Sequence, residues 1–271
     1  MSATRAVVLA RGLGTRMRSS DPGAGLSEAQ RRAADAGMKA MMPIRGRPFL
    51  DFVLSSIADA GLRHVALVVA PEHDELRRYY RETAPPFRLS IEFVVQPEAL
   101  GTANAVLAVE GWTGAEAFLV MNSDNLYPVQ VLEDLAALRE PGLPAFDRED
   151  LVRSSNIEPD RVRGFAILQV SDDGYLTSIV EKPSPEAVEG AGPHAAISMN
   201  CWRFDAGIFD ACRAVPRSPR GEFELPMAVG LAVDAGARYR VIPARGPVLD
   251  LSRRADALEV ERRLSGATPQ P

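Results

Sequence analysis

The residues best suited to chemistry follow the first apolar segment of the chain. Residues 6–10 are apolar, and the loop after them holds Gly12, Gly14, Thr15 and Arg16. Glycine lets the backbone approach an anion closely, and a guanidinium group binds phosphate oxygens in pairs. The loop has neither the Gly-Lys-Ser/Thr of a Walker loop nor the third glycine of the dinucleotide fingerprint. It predicts a phosphate-binding loop of another kind, with an ordinary strand–helix turn as the alternative.

Lysine is rare in this chain, and its two positions are therefore informative. All but two of the 31 basic side chains are arginine, and the exceptions are Lys39 and Lys182. Such a bias reflects the composition of the genome more than any physical need. A lysine retained against it is expected where a compact ammonium group fits and a planar guanidinium does not. The alternative is chance retention at two surface positions.

Polar side chains also stand where three of the predicted strands end. Gln96 follows the segment 91–95, Asp124 follows the segment 117–121, and Asp250 lies in the segment 248–251. In an open α/β sheet, ligands bind beyond the carboxyl ends of the strands. The Gln96 amide could pair with a nucleobase edge, and Asp124 is a natural Mg²⁺ ligand beside bound phosphates. The alternatives are a solvated loop glutamine and an Asx turn.

The composition limits the class of protein. The chain has 271 residues, 46% of them hydrophobic, which is enough for one large α/β domain. The formal net charge of −5 argues against nucleic acid as the main partner. No segment approaches the ~20 apolar residues of a membrane helix. Cys201 and Cys212 have no metal-binding spacing, so reduced thiols in a cytoplasmic protein are expected.

Hydrophobic periodicity predicts alternating strands and helices up to about residue 140 and a different pattern of elements after it. Strands are predicted at 65–69, 91–95 and 117–121, and helices at 49–60, 72–82 and 103–109, the last capped by Thr102. Beyond them we predict a loop at 143–160, a hairpin of 164–170 with 176–180, strands at 195–204, 239–243 and 248–251, helices at 206–214, 225–235 and 256–264, and a frayed tail at 266–271.

Taken in order, these motifs resemble those of the sugar-1-phosphate nucleotidyltransferases, especially the uridylyl and thymidylyl members. The resemblance covers residues 5 to 264, almost the whole chain. It rests on the signature loop (9–17), a lysine-proline segment (39–48), the base-reading segment (96–103), a metal motif (122–125), the sugar-phosphate motif Glu181-Lys182-Pro183 and a second metal motif (248–251).

The resemblance implies a fold and a domain organisation. The fold would be a Rossmann-like α/β fold: a mixed, mostly parallel sheet with helices on both faces and a smaller sugar-binding lobe. Residues 1–271 would form a single nucleotidyltransferase domain. Within it, residues 1–140 would be the nucleotide-binding core, residues 141–264 the sugar-phosphate-binding part, and residues 265–271 a tail.

The resemblance also implies a reaction and a set of site residues. A sugar 1-phosphate would attack the α-phosphorus of a nucleoside triphosphate, with UTP or dTTP favoured, and pyrophosphate would leave. The implied residues are Arg16, Lys39, Asp124 and Lys182 for catalysis; Leu9, Ala10, Arg11, Gly12, Gly14, Thr15, Arg16, Gln96, Gly101 and Thr102 for the nucleotide; Asn125, Gly164, Glu181, Lys182 and Asn200 for the sugar phosphate; and Asp124 and Asp250 for Mg²⁺.

The sequence departs from the family pattern at several positions. Arg11 stands where relatives have a small residue near the base, and Ala40 replaces the usual proline. The expected partners are the triphosphate and the sugar 1-phosphate, with no nucleic acid and no membrane, and the protein is expected to form a homo-oligomer. Two other functions stay open: a non-catalytic regulatory protein that binds nucleotide sugars, and a cytidylyltransferase for another phosphorylated small molecule.

Overall fold

The computed structural model describes residues 2–19 and 21–271. The strands are β1 (Arg5–Leu9), β2 (Pro43–Ile44), β3 (Arg47–Pro48), β4 (His64–Val69), β5 (Ser90–Val95), β6 (Phe118–Asn122), β7 (Asn125–Leu126), β8 (Gly142–Asp147), β9 (Ile167–Val170), β10 (Leu176–Val180), β11 (Ala196–Ile197), β12 (Trp202–Phe204), β13 (Arg240–Ala244) and β14 (Leu249–Asp250). The helices are α1 (Thr15–Arg18), α2 (Glu28–Asp35), α3 (Phe49–Asp59), α4 (Asp74–Arg78), α5 (Thr102–Leu107), α6 (Glu110–Thr113), α7 (Val129–Ala137), α8 (Arg148–Ser154), α9 (Pro159–Val162), α10 (Pro185–Gly190), α11 (Ile208–Ala214), α12 (Leu225–Asp234) and α13 (Asp256–Arg263).

The predicted apolar strands form the parallel centre of one large sheet. β1 pairs in parallel with β4 and with β6, and β4 pairs in parallel with β5. Strands from the second half of the chain extend this sheet, which has ten strands in the order β10-β9-β11-β8-β12-β6-β1-β4-β5 with β13 paired to β8. β12 runs antiparallel to β6, so the sheet is mixed, as expected. The division at residue 140 stays a prediction, since the sheet continues across it.

Helices cover both faces of the sheet because the central strands are apolar on both sides. Successive side chains of a strand point to opposite faces. Ala6 and Val8 of β1 therefore lie in one apolar cluster, and Val7 lies in the other. The first cluster includes Phe49, Leu132 and Val260 from α3, α7 and α13, and the second includes Val106, Phe209 and Val229 from α5, α11 and α12. The carboxyl ends of β1, β4, β5 and β6 are left to form the site.

The loop predicted at 143–160 is wrong. Residues Gly142–Asp147 form β8 inside the sheet, and Arg148–Ser154 form α8. Pro144 argues against a central strand because proline has no N–H to donate. On one edge of β8, however, the pairs are made only at its ends, by Gly142 with β12 and by Phe146 and Asp147 with β11. Pro144 interrupts no pair on that edge.

Three smaller predictions also need correction. The strand predicted at 195–204 is split into β11 and β12. The charged helix predicted at 72–82 is α4, followed by a π turn at Tyr79–Thr83. The tail is not frayed: the carbonyl oxygen of Pro271 accepts hydrogen bonds from the backbone N–H groups of Phe87 and Arg88 at 3.1 and 3.4 Å. In the described part of the chain, no helix is both long and apolar enough to cross a membrane.

Candidate active site

The glycine loop is fixed by close backbone contact with the segment before Lys39. Gly14 has φ +62°, and a Cβ atom there would lie 2.4 Å from the carbonyl oxygen of Gly37. No other residue type fits this approach. The Arg18 guanidinium adds a hydrogen bond to the carbonyl oxygen of Ala36 at 3.0 Å. The loop and the Lys39 segment therefore form one rigid rim at the end of β1.

The first cavity of the site lies at this rim, and we call it the glycine-loop cavity. Its volume is about 200 Å³. Six of the predicted site residues line it: Leu9, Ala10, Gly12, Lys39, Thr102 and Asp124. The Lys39 ammonium donates to Asp124 Oδ2 at 2.8 Å, and each side chain is less than one-fifth exposed. The pair places one positive and one negative charge at the bottom of the cavity.

A second cavity of about 400 Å³ adjoins the first, and we call it the basic cavity. Eight predicted site residues line it: Arg16, Asp124, Asn125, Gly164, Glu181, Lys182, Asn200 and Asp250. Five basic side chains face it, from Arg16, Arg161, Lys182, Arg220 and Arg253. Four carboxylates also line it, from Asp124, Asp160, Glu181 and Asp250, so the basic groups exceed the acidic ones by one. This excess suits an anionic ligand. Asp124 and Asn122 line both cavities, so a ligand in one can meet a ligand in the other at these residues.

Backbone strain is concentrated at the basic cavity. Among the described residues, three that are not glycine have positive φ: Lys182 (+44°), Asn200 (+56°) and Arg45 (+52°). A left-handed backbone costs most L-residues roughly 1–2 kcal/mol and is tolerated better by asparagine, so at the basic cavity the strain lies chiefly at Lys182. Lys182 and Asn200 both line the basic cavity, and Arg45 lies outside it. Strain held at ligand-facing positions is characteristic of functional sites.

The two predicted metal ligands come together although 126 positions separate them in the sequence. Both carboxylates line the basic cavity, and the backbone N–H of Leu251 donates to the carbonyl oxygen of Asp124 at 2.9 Å. Asp250 is buried and held in place: its Oδ1 accepts from Arg161 at 2.6 Å and its Oδ2 from Asn125 at 3.3 Å. Arg161 also binds Asp256 at 2.7 Å.

This donor set fits Mg²⁺ that arrives with a phosphate ligand. Mg²⁺ prefers one or two carboxylates with phosphate oxygens and waters, and it rarely occupies a cage made of protein alone. In the described residues, no group of three or more His, Cys, Asp or Glu side chains is placed to hold a metal. Asp124 and Asp250 supply two carboxylates at one cavity, and each oxygen retains a free lone pair beside its present hydrogen bond. The assignment of these two ligands stays a prediction.

The base-reading segment lies beside the glycine-loop cavity, and its Thr102 lines that cavity. Gly101 has φ +105°, and a Cβ atom there would lie 2.5 Å from the carbonyl oxygen of Phe223. The prediction that Thr102 caps the helix is wrong, because Gly101 holds the cap position of α5. The Thr102 hydroxyl instead accepts a hydrogen bond from the backbone N–H of Leu225 at 2.8 Å. This bond joins the base-reading segment to the start of α12.

Four predicted nucleotide residues besides Gly101 also lie outside both cavities. Gln96 is buried under the rim, and Gly14 is buried against Gly37. Thr15 is exposed at the first position of α1. Arg11 reaches across the rim from the glycine loop, and it donates to the carbonyl oxygens of Gln96 and Pro97 at 3.3 Å each.

The carboxyl group of Glu181 has a perturbed pKa in the basic cavity. Burial away from water raises the pKa of Glu181, and the nearby Glu224 carboxylate raises it further. Lys182 and Arg220 act in the opposite direction but do not cancel these effects. An ionised Glu181 is therefore costly in the free protein. Its charge is useful only when a ligand donates hydrogen bonds to it.

We expect Glu181→Gln to stabilise the protein and to weaken sugar-phosphate binding. A folded-state pKa above the unfolded value means that wild-type stability falls as the pH rises through the range between them. The variant lacks this loss, so its advantage in melting temperature should be absent in acid and present at neutral pH. Melting curves of both proteins from about pH 4 to about pH 8 measure this difference. An equal advantage at every pH would contradict the assignment.

Sequence reasoning missed three residues of the site. Arg161 anchors Asp250, Arg220 binds Glu224 at 3.1 Å, and Asn122 lies where the two cavities meet. The two arginines are hidden among 27 others of the same type. Asn122 was predictable in principle, because it directly precedes Ser123 and Asp124 at the end of an apolar strand.

Comparison with known proteins agrees with this architecture. Residues 5–247 match the model of the family described as nucleotidyl transferase. The chain is 28% identical to the UTP–glucose-1-phosphate uridylyltransferase AglF of Haloferax volcanii over 268 residues, which cover 98% of each protein. It is 29% identical to a glucose-1-phosphate thymidylyltransferase of Streptomyces antibioticus over 259 residues, which are 95% of this chain and 65% of that enzyme.

Solved structures share the fold. A UDP-glucose pyrophosphorylase complexed with UDP-glucose superimposes with a TM-score of 0.75 at 18% identity, covering 98% of this chain and all of that one. A UTP-bound enzyme from Acinetobacter baumannii, named UGPase, gives a TM-score of 0.74 at 19% identity, with 99% and 96% covered. The fold and the joined cavities agree with the family match, which covers most of the chain. The chain belongs to the nucleotidyl transferase family.

Proposed function

We propose that this protein transfers a nucleotidyl group from UTP or dTTP to a sugar 1-phosphate in a Mg²⁺-dependent reaction that releases pyrophosphate. The observation that carries the proposal is the junction of the two cavities at Asp124 and Asn122. One cavity has a glycine-rich rim suited to a triphosphate, and the other is basic and suited to a second phosphate. The names of the relatives, a uridylyltransferase and a thymidylyltransferase of glucose 1-phosphate, support the same substrates.

The reaction needs positioning and charge neutralisation and no covalent enzyme intermediate. An oxygen of the sugar phosphate attacks the α-phosphorus, the bond from that phosphorus to the β-phosphate oxygen breaks, and pyrophosphate leaves. Arg16 and Lys39 would neutralise the triphosphate, since both face the cavities from the glycine-loop side. Mg²⁺ held by Asp124 and Asp250 would supply further neutralisation of the phosphate charge.

The residues of the basic cavity would hold the sugar phosphate. Lys182 supplies positive charge for its phosphate group, and Glu181 and Asn200 supply acceptors and donors for sugar hydroxyls. Charged hydrogen bonds of this kind are the strong ones in a site closed to water. We place the protein in the cytoplasm and expect a homo-oligomer, in line with the expectations from the sequence.

The test is pyrophosphate release across a panel of triphosphates and sugar 1-phosphates, with and without Mg²⁺. We expect release only when a triphosphate, a sugar 1-phosphate and Mg²⁺ are all present. Tight binding of nucleotide sugars without any turnover would favour the regulatory protein instead. Turnover with CTP and a different phosphorylated acceptor would favour the cytidylyltransferase. Either result would overturn the proposal.

A further inference from the structure

His73 lines the glycine-loop cavity from the turn that follows β4. β4 pairs in parallel with β1 on one side and with β5 on the other, so its carboxyl end opens at the same edge of the sheet as theirs. The other parallel strands are followed at this edge by the glycine loop, by Gln96 and by Asp124. His73 is the polar side chain that lines the cavity from the β4 side, and it is partly buried there.

A hydrogen bond from the backbone fixes the tautomer of the His73 imidazole. The N–H of Ala70 donates to Nδ1 of His73 at 3.4 Å, and the N–H of His73 donates to the carbonyl oxygen of Ala70 at 3.2 Å. A ring nitrogen that accepts from an N–H group carries no hydrogen of its own, so the ring hydrogen lies on Nε2. Arg77 also binds the Ala70 carbonyl oxygen, at 2.9 Å, and holds the turn in place.

The surroundings of the imidazole favour its neutral form. Burial lowers the pKa of His73. The nearby Glu72 carboxylate raises this pKa, but the guanidinium groups of Arg11 and Arg77 lower it further. A proton on Nδ1 would also set two N–H groups against each other at the Ala70 bond. The ring therefore stays uncharged at neutral pH and keeps its donor at Nε2.

This donor is open to a ligand. In residues 2–19 and 21–271, Nε2 of His73 has no hydrogen-bond partner, and the buried side-chain atoms without a partner are Arg5 Nε, Trp202 Nε1 and Arg203 Nε. Since Nε2 of His73 is not one of those buried atoms, it is in contact with solvent. A donor that is already held in position loses little freedom when a ligand oxygen binds to it.

The arrangement of the two cavities indicates which ligand atoms lie near His73. In phosphoryl transfer the attacking and leaving oxygens lie roughly in line, on opposite sides of the phosphorus. In the proposed function the sugar phosphate occupies the basic cavity, and the α-phosphorus lies where the cavities meet, at Asp124 and Asn122. The leaving pyrophosphate then extends into the glycine-loop cavity, where Lys39 supplies positive charge. His73 lines that cavity and not the basic one, so it lies on the leaving side.

We propose that His73 donates a hydrogen bond from Nε2 to an oxygen of the β- or γ-phosphate of the bound triphosphate. This inference rests on the proposed function and names a binding residue outside the glycine loop. The bond is charge-assisted because its acceptor is an ionised phosphate, and such bonds are stronger than those between neutral groups. A nucleoside monophosphate lacks both of these phosphates, so its binding does not depend on His73.

Two amide substitutions separate this role from a structural one. The oxygen of asparagine can take the place of Nδ1, so His73→Asn keeps the bond from Ala70 and loses the donor to the ligand. The NH₂ group of glutamine can reach the position of Nε2, so His73→Gln keeps the donor and loses the bond from Ala70. The measured quantities are the dissociation constants of each protein for UTP and for UMP in the presence of Mg²⁺, by titration calorimetry, and its melting temperature.

His73→Asn is expected to weaken UTP binding about tenfold and to leave UMP binding within about twofold of the wild type, because one hydrogen bond to a charged group is lost. His73→Gln should bind UTP within about threefold of the wild type and melt at a lower temperature, because the turn loses one hydrogen bond. The result for His73→Asn decides alone if His73→Gln does not fold.

Two results would overturn the inference. UTP binding that is unchanged in His73→Asn would mean that the imidazole serves the turn and not the ligand. An equal loss for UTP and UMP would place His73 beside the nucleoside or the α-phosphate. Both constants are measured without turnover, so a protein that binds UTP but releases no pyrophosphate with any pair of substrates would remove the proposed function and leave this test of His73 standing.

Discussion

Asp124→Asn is expected to lower kcat by about a thousandfold or more while the protein stays folded. The amide has the shape of the carboxylate and can still accept the hydrogen bond from Lys39, so the rim should keep its geometry. The negative charge that would hold Mg²⁺ against the phosphates is lost. The measurements are the rate of pyrophosphate release, its dependence on Mg²⁺ concentration, and the melting temperature.

Asp134→Asn is the control for this prediction. Asp134 is exposed on α7, where it accepts a hydrogen bond from Gln130 at 2.9 Å. It lines neither cavity. Its replacement removes the same charge from the same protein and should leave turnover within about twofold. Turnover of Asp124→Asn equal to that of Asp134→Asn would remove Asp124 from the metal site. An unfolded Asp124→Asn would indicate that the pair with Lys39 is structural.

The parallel half of the fold could be predicted because it is encoded locally. β1, β4, β5 and β6 are short, largely apolar segments, and α3 and α13 have clear helical periodicity. The second half could not be predicted in the same way. β8 contains Pro144, and its place in the sheet depends on β13, which pairs with it from nearly a hundred residues away.

The residues of the candidate site likewise divide into those that the local sequence indicates and those that it does not. Lys39 and Lys182 stand out because the chain otherwise uses arginine, and both line a cavity. Arg161 cannot stand out in such a chain, and its partner Asp250 lies 89 positions away. The Thr102 hydroxyl was assigned to the nearest helix, whereas its partner is the Leu225 N–H, 123 positions away. Contacts of this range depend on the assembled sheet and leave no local signal.

Lys182→Gly is expected to lower kcat/KM for the sugar 1-phosphate by about a hundredfold or more while the protein becomes slightly more stable. The ammonium group that faces the basic cavity is lost, and with it a charged contact to the phosphate. At the same time glycine adopts φ +44° without the penalty that lysine carries. The free energy of unfolding should rise by roughly 0.5 kcal/mol, after the greater freedom of glycine in the unfolded chain is subtracted.

Arg45→Gly separates the two effects. Arg45 has φ +52° in the turn between β2 and β3, its side chain is exposed, and it lies outside both cavities. The substitution should give the same small gain in the free energy of unfolding, measured by denaturant titration, with unchanged kinetics. If Lys182→Gly matched it in both respects, the strained lysine would have no part in binding. A gain in stability with a loss of activity at Lys182 alone would mean that the backbone strain is retained because the position of the ammonium group requires it.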